Sequence, residues 1–187
     1  MANEIARRLV HASGAVVPLS WVFDVLTWPQ VRVLLVAGSA LALVLEFLRI
    51  VIGVEWVVYD ALTREYEANN LAGYALYVLG GSLAGLVFRP DIAVPAMLML
   101  TIADPVSGLL GSDELRTVKA PHVLATMFAV SLAIAWSFLP AIPAVAAAIA
   151  ATLADGVKPV VASYVIDDNL SIPIVASGAA WVALVAV

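Results

Sequence analysis

Residues 92–111 read "IAVPAMLMLTIADPVSGLLG". Up to Ala103 the run is apolar, and a stretch of about 20 such residues is long enough to cross a bilayer as a helix. Asp104 then interrupts it, followed by Pro105 and by the small residues Ser107, Gly108 and Gly111. An acid inside an apolar span is costly and usually functional. Two readings stand side by side. At a proline break Asp104 can ligand a magnesium ion while Gly108 and Gly111 admit a phosphate close to the backbone. Alternatively, Pro105 marks a kink, with Asp104 solvated near the membrane surface.

Outward from this stretch the whole chain is apolar. Its 187 residues are 64% hydrophobic and 12% charged, with a mean hydropathy of +1.05. That is more apolar surface than one water-soluble core can hide, and the composition reads as an integral membrane protein. There is no cysteine, which excludes disulfides and thiolate-ligated metals, and the two histidines, His11 and His122, are too far apart in sequence to suggest a zinc site. A formal charge of −5 on a mostly buried chain argues against nucleic-acid binding. The opening "MANEIARRLVHASG" has arginines ahead of an apolar run without a small-residue cleavage site and hydrophilic sequel, so it is not expected to be a removed signal peptide.

Seven apolar segments are bounded by proline, glycine or charge: Leu9 to Phe23, Val31 to Leu48, Ala72 to Phe88, Ile92 to Gly111, His122 to Leu139, Ala141 to Ala154 and Ile172 to Val187. The first and sixth are short. With all seven crossing, Arg7, Arg8, Arg49, Arg64, Arg116, Lys119 and Lys158 share one side, against Arg32 and Arg89 on the other. Seven against two fits the positive-inside rule, whereas dropping the two short spans gives five against four. The expectation is therefore an all-α, polytopic bundle of about seven transmembrane segments. It forms one domain over residues 1–187 in the cell membrane, with a cytoplasmic N-terminus.

Most acids fall at the same inner face, which the positive-inside rule does not require. Both signs of charge there would equip the protein to hold a charged, water-soluble reactant while its helices hold an apolar one. In "RRLVHASG" (residues 7–14), Arg7, Arg8 and His11 lie within one helical turn. His11 is a candidate phosphate ligand or base, or a packing residue. "LTREYEANNLAGY" (62–74) supplies Arg64, Glu65 and Glu67, or a polar turn and cap. "SDELRTVKAPH" (112–122) supplies Arg116 and Lys119 for a triphosphate, or for membrane anchoring. In "DDNLSIP" (167–173), Asp167, Asp168 and Asn169 precede the last span. Capping would explain one of them, and the remaining oxygens suit Mg²⁺ or a lipid hydroxyl. Gly81 and Gly85 have close-packing spacing, and Glu46 and Arg49, three apart, can pair. Neither common nucleotide-binding glycine loop is present.

Taken in order, RRxxHxxxG, a mid-chain RExE…G, DPxxGLLG, a basic loop and a late DDNLxIP resemble the dolichol kinase, phytol kinase and diacylglycerol kinase group of CTP-dependent membrane lipid kinases. The matching residues are Arg7, Arg8, His11, Gly14, Arg64, Glu65, Glu67, Gly73, Asp104, Gly108, Gly111, Lys119, Asp167, Asp168, Asn169 and Pro173. Three departures stand out: Ala103 where relatives tend to have glycine, "TVKAPHVL" where they have a lysine-threonine-glutamate-glycine run, and Asp155 where a glutamate is usual.

The resemblance implies transfer of the γ-phosphoryl group of CTP to a lipid alcohol, a dolichol-type polyprenol in the leading reading. Phytol, geranylgeraniol and diacyl or dialkyl glycerol are alternative acceptors. It further implies that Asp104 and Asp168 hold Mg²⁺ and that Asp167 and His11 join them in catalysis. Arg7, Arg8, Arg64, Gly108, Gly111, Lys119 and Asn169 would bind the nucleotide. A CTP:lipid-phosphate cytidylyltransferase would need similar equipment. A small transporter is the non-enzymatic alternative, although no internal repeat is evident and the polar residues gather at one face rather than at the midplane.

Overall fold

The computed structural model describes residues 11–57, 59, 63, 67, 70–111, 118–157, 160–161, 164–165 and 167–186. Almost all of them are helical. In chain order the elements are α1 (Val16–Val22), α2 (Trp28–Ile52), α3 (Gly73–Val87), α4 (Pro90–Leu109), α5 (Pro121–Trp136), α6 (Ala141–Gly156) and α7 (Asp168–Ala186). Between α6 and α7 lies one short antiparallel ladder, β1 (Val160–Val161) with β2 (Tyr164–Val165), in the register Val160 to Val165.

Each apolar segment of the sequence overlaps one of these helices, although α1 covers only Val16–Val22 of the first. Three helices are long and apolar enough to cross a membrane: α2 with 25 residues, α4 with 20 and α7 with 19. The apolar α3, α5 and α6 have 15, 16 and 16 residues, and α1 has 7.

Proline sets most of the starts. It stands in the first turn of α2, α4 and α5 and just ahead of α6, where its missing N–H leaves no helical bond unmade. Gly53 ends α2 at φ 74°, a left-handed conformation that costs a residue without a Cβ little.

A widened π turn occupies Met99–Ala103 inside α4, and its cause is local. Pro105 has no N–H for the Thr101 carbonyl, and its ring would strike that carbonyl in a continuous α-helix. The ladder slips by one, and the Asp104 N–H bonds Met99 O instead. Such turns recur at functional sites.

Helix α4 is the centre of the molecule, with 72% of its apolar window buried against 17% for α2. Its inner face meets α5, α6 and α7 in a core that includes Met99, Leu100, Met127, Ala147, Ala151 and Ile172. Alanines on α6 allow α7 to approach closely, and α7 packs on α6 along much of its length. Gly81 and Gly85 do the close packing their spacing suggested, Gly81 beside Met97 and Gly85 beneath Leu35. Gly80 is tighter still, since a Cβ there would sit 2.6 Å from Asn169 O. The outer face of α2 exposes Val33, Leu34, Val36, Leu41, Val44 and Phe47. Arg32, on the same helix, donates to Gly85 O at 3.1 Å and Leu86 O at 3.2 Å, satisfying carbonyls at the end of α3.

Candidate acidic site at the helix ends

Three aspartates from three helices converge. Asp104 follows the π turn of α4, Asp155 sits one residue from the end of α6, and Asp168 opens α7. One carboxylate oxygen from each lies within 4.8 Å of the others. Asp155 is fully buried and Asp168 nearly so, while Asp104 keeps a sixth of its side-chain surface exposed.

Lys119 lies against two of them, Asp104 and Asp155. An isolated antiparallel bridge pairs Val118 with Val157, and the Lys119 N–H donates to Gly156 O at 3.2 Å. This backbone contact brings the chain before α5 alongside the end of α6. The Lys119 ammonium then donates a hydrogen bond to Asp155 Oδ1 and lies 3.7 Å from Asp104 Oδ1. Burial pulls its pKa down, but the charges of Asp104, Asp155 and Asp168 outweigh that and hold it above the ordinary lysine value.

His11 completes the group from the N-terminal side, with Nδ1 3.8 Å from Asp104 Oδ2. Tyr77 of α3 stands edge-on to the imidazole, ring centroids 4.2 Å apart, and its hydroxyl donates to His11 O at 2.8 Å. Gly14 is what lets the phenol through, because a Cβ there would overlap the Tyr77 oxygen.

The adjacent pair Asp167 and Asp168 divides its work. Asp167 occupies the position before α7: its backbone carbonyl accepts from the N–H groups of Leu170 and Ser171, and its Oδ1 accepts from the Asn169 N–H at 2.9 Å. Asp168 also accepts from that N–H, at 3.1 Å, and contributes to the acidic cluster. The Asn169 side-chain amide lies beside Gly73, where a Cβ would meet Nδ2 at 3.2 Å and Glu67 Oε1 at 3.4 Å. Gly108 lies in the last turn of α4 and Gly111 just beyond it, with the Gly111 N–H on Gly108 O at 3.1 Å. Arg7, Arg8, Arg64, Glu65, Arg116 and Lys158 lie outside the described residues.

Glu46 and Arg49 pair at 2.7 Å, buried near the end of α2. Glu46 also accepts from the Ala72 N–H at 3.0 Å and from the Tyr74 hydroxyl, and Arg49 donates to Glu67 O at 3.2 Å. This network ties α2 to the start of α3 without entering the acidic cluster.

The chemistry of the cluster suits a hard divalent cation. Its donors are carboxylate oxygens, three of them within 4.8 Å of one another. Lys119 satisfies one oxygen of Asp155, while Oδ2 is buried with no hydrogen-bond partner among the described residues. A second buried acceptor, Asn169 Oδ1, next along the chain from Asp168, is likewise without one. Buried polar atoms are rarely left so.

Asp155 is the member that motif reading left out of the site. A signal for it exists in the sequence. It is the lone acid near the C-terminus of the alanine-rich "AVAAAIAATLADG", where the helix dipole disfavours negative charge, so another partner must hold it there.

Comparison of the chain with protein-family models, curated proteins and solved structures gives no match.

Proposed function

We propose that the protein is a membrane lipid kinase that transfers the γ-phosphoryl group of CTP to the hydroxyl of a long-chain alcohol of the polyprenol type. The observation that carries this reading is the convergence of Asp104, Asp155, Asp168, Lys119 and His11, from five separate parts of the sequence, at the ends of apolar helices. In this reading all seven apolar segments cross the bilayer and the cluster lies at the inner face. There a water-soluble nucleotide and the head of a membrane alcohol can meet.

Phosphoryl transfer requires positioning and charge neutralisation more than covalent chemistry by the protein. Asp104, Asp155 and Asp168 would hold Mg²⁺, which when bound would neutralise phosphate charge. Lys119 and the N-terminal arginines Arg7 and Arg8 contact the triphosphate. His11, held between Asp104 and Tyr77, orients the lipid hydroxyl and takes up its proton as the oxygen attacks the γ-phosphorus, the bridging P–O bond to the β-phosphate breaks and CDP departs. The apolar outer helix faces keep the alcohol's chain in the membrane.

The test is product analysis with purified protein, Mg²⁺, CTP and a panel of acceptors: a polyprenol, phytol, geranylgeraniol and a diacylglycerol. The expected products are the lipid monophosphate and CDP. Release of pyrophosphate with a CDP-lipid from a lipid phosphate would make the protein a cytidylyltransferase instead. Absence of any phosphorylated lipid with any nucleotide would overturn the kinase assignment.

A further inference from the structure

We propose that Lys119 is a built-in counter-ion of the acid triad, competing with the divalent cation for the same carboxylates and moving off them when the metal binds. The inference rests on the reading of Asp104, Asp155 and Asp168 as a cation site and adds to it a residue that sets the site's affinity.

The Lys119 ammonium donates to Asp155 Oδ1 and lies 3.7 Å from Asp104 Oδ1, so it sits against two of the three acids that would ligand a metal. Close-set buried carboxylates repel one another unless a cation lies among them, and between Asp104 and Asp155 the lysine is such a cation. It does the task incompletely. An ammonium is a compact point charge on a flexible stem, and this one leaves the buried Oδ2 of Asp155 without a partner among the described residues. A divalent ion brings twice the charge and can engage several carboxylates together. With both cations on the same oxygens, repulsion between them weakens metal binding. A lysine displaced from the acids would be available to a triphosphate. Metal and nucleotide would then favour each other's binding, a coupling that is reciprocal by necessity.

Two measurements test this without nucleotide, lipid or turnover, so their failure is distinguishable from failure of the kinase assignment. The first is Mn²⁺ binding to purified protein, followed by the paramagnetic resonance signal of the free ion. Lys119→Gln is expected to bind Mn²⁺ about tenfold more tightly than the wild type, as removal of one nearby positive charge predicts. Lys119→Arg should stay near wild type, and Asp155→Asn should abolish the gain in the double variant. The second uses the wild-type chain alone, whose two lysines are Lys119 and Lys158. Mn²⁺ should accelerate amine acylation at Lys119 several-fold relative to Lys158, read by peptide mass spectrometry. Equal or weaker Mn²⁺ binding by Lys119→Gln, no Mn²⁺ binding by either protein, or an acylation rate at Lys119 indifferent to Mn²⁺ would each overturn the proposal.

Discussion

Tyr77 holds His11 twice, by a hydroxyl hydrogen bond to its carbonyl at 2.8 Å and by an edge-on ring contact at 4.2 Å. The first interaction fixes the backbone and the second the imidazole, which together keep His11 beside Asp104. Tyr77→Phe removes only the hydroxyl and should lower turnover several-fold while leaving Mn²⁺ affinity unchanged. Gly14→Ala drives a methyl group into the phenol and should do more damage. Parallel measurement of phosphorylation rate and Mn²⁺ binding checks both, and equal rates in wild type and Tyr77→Phe would remove Tyr77 from the positioning of His11.

The acids should separate into two groups. Asp104→Asn, Asp155→Asn and Asp168→Asn each keep shape and delete a charge that faces the shared space. Each is expected to reduce turnover by on the order of 10²-fold or more, the scale of losing one strong electrostatic contact at a reacting centre. Asp167→Asn retains a side-chain oxygen for the Asn169 N–H and should cost far less. Turnover and Mn²⁺ binding measured on all four, with monodispersity in detergent as a folding control, would reverse the division if Asp167→Asn proved the most damaging.

Glu46→Gln tests the buried pair away from the cluster. It leaves the Arg49 guanidinium without its carboxylate, and breaking a buried ion pair costs about 3 kcal/mol. Loss of stability is expected without a change in Mn²⁺ affinity per folded molecule. Thermal unfolding in detergent, set beside metal binding, distinguishes a strut from a ligand.

Two glycines should behave oppositely. At Gly80 a methyl group would press on the backbone of Asn169 and Leu170, which cannot yield as a side-chain tip can. Gly80→Ala should destabilise by about 1–3 kcal/mol, the usual cost of overpacking. Gly178 has nothing within 4 Å of the same position, so Gly178→Ala should be neutral or stabilise by about 0.5–1 kcal/mol through helix propensity. Equal effects would mean that α3 and α7 do not touch where the structure puts them.

The helices were legible because their signals are local: apolar runs, and prolines such as Pro29, Pro90 and Pro121 at the starts. Asp104 was legible for the same reason, as an acid and a proline inside a span. Asp155 showed only that it needed a partner, because what makes it part of the cluster is the packing of α6 against α7 and α5, contacts between segments that no spacing encodes. Asp167 and Asp168 could not be told apart by sequence either. Adjacent residues on a helix point about 100° apart, so where α7 begins decides which carboxylate reaches the acids and which stays with the cap.

The slipped turn of α4 carries a consequence for tolerance to insertion and deletion. Residues before it, such as Ile92 and Ala96, are phased to the core, while Asp104 after it is phased to the acids at the rim. Removing one residue from the ordinary α-helical turns on either side of it would rotate the remainder of the helix by about 100°. The core would then keep its fit at the expense of the carboxylate's aim, or the reverse. Length itself is therefore under constraint in α4.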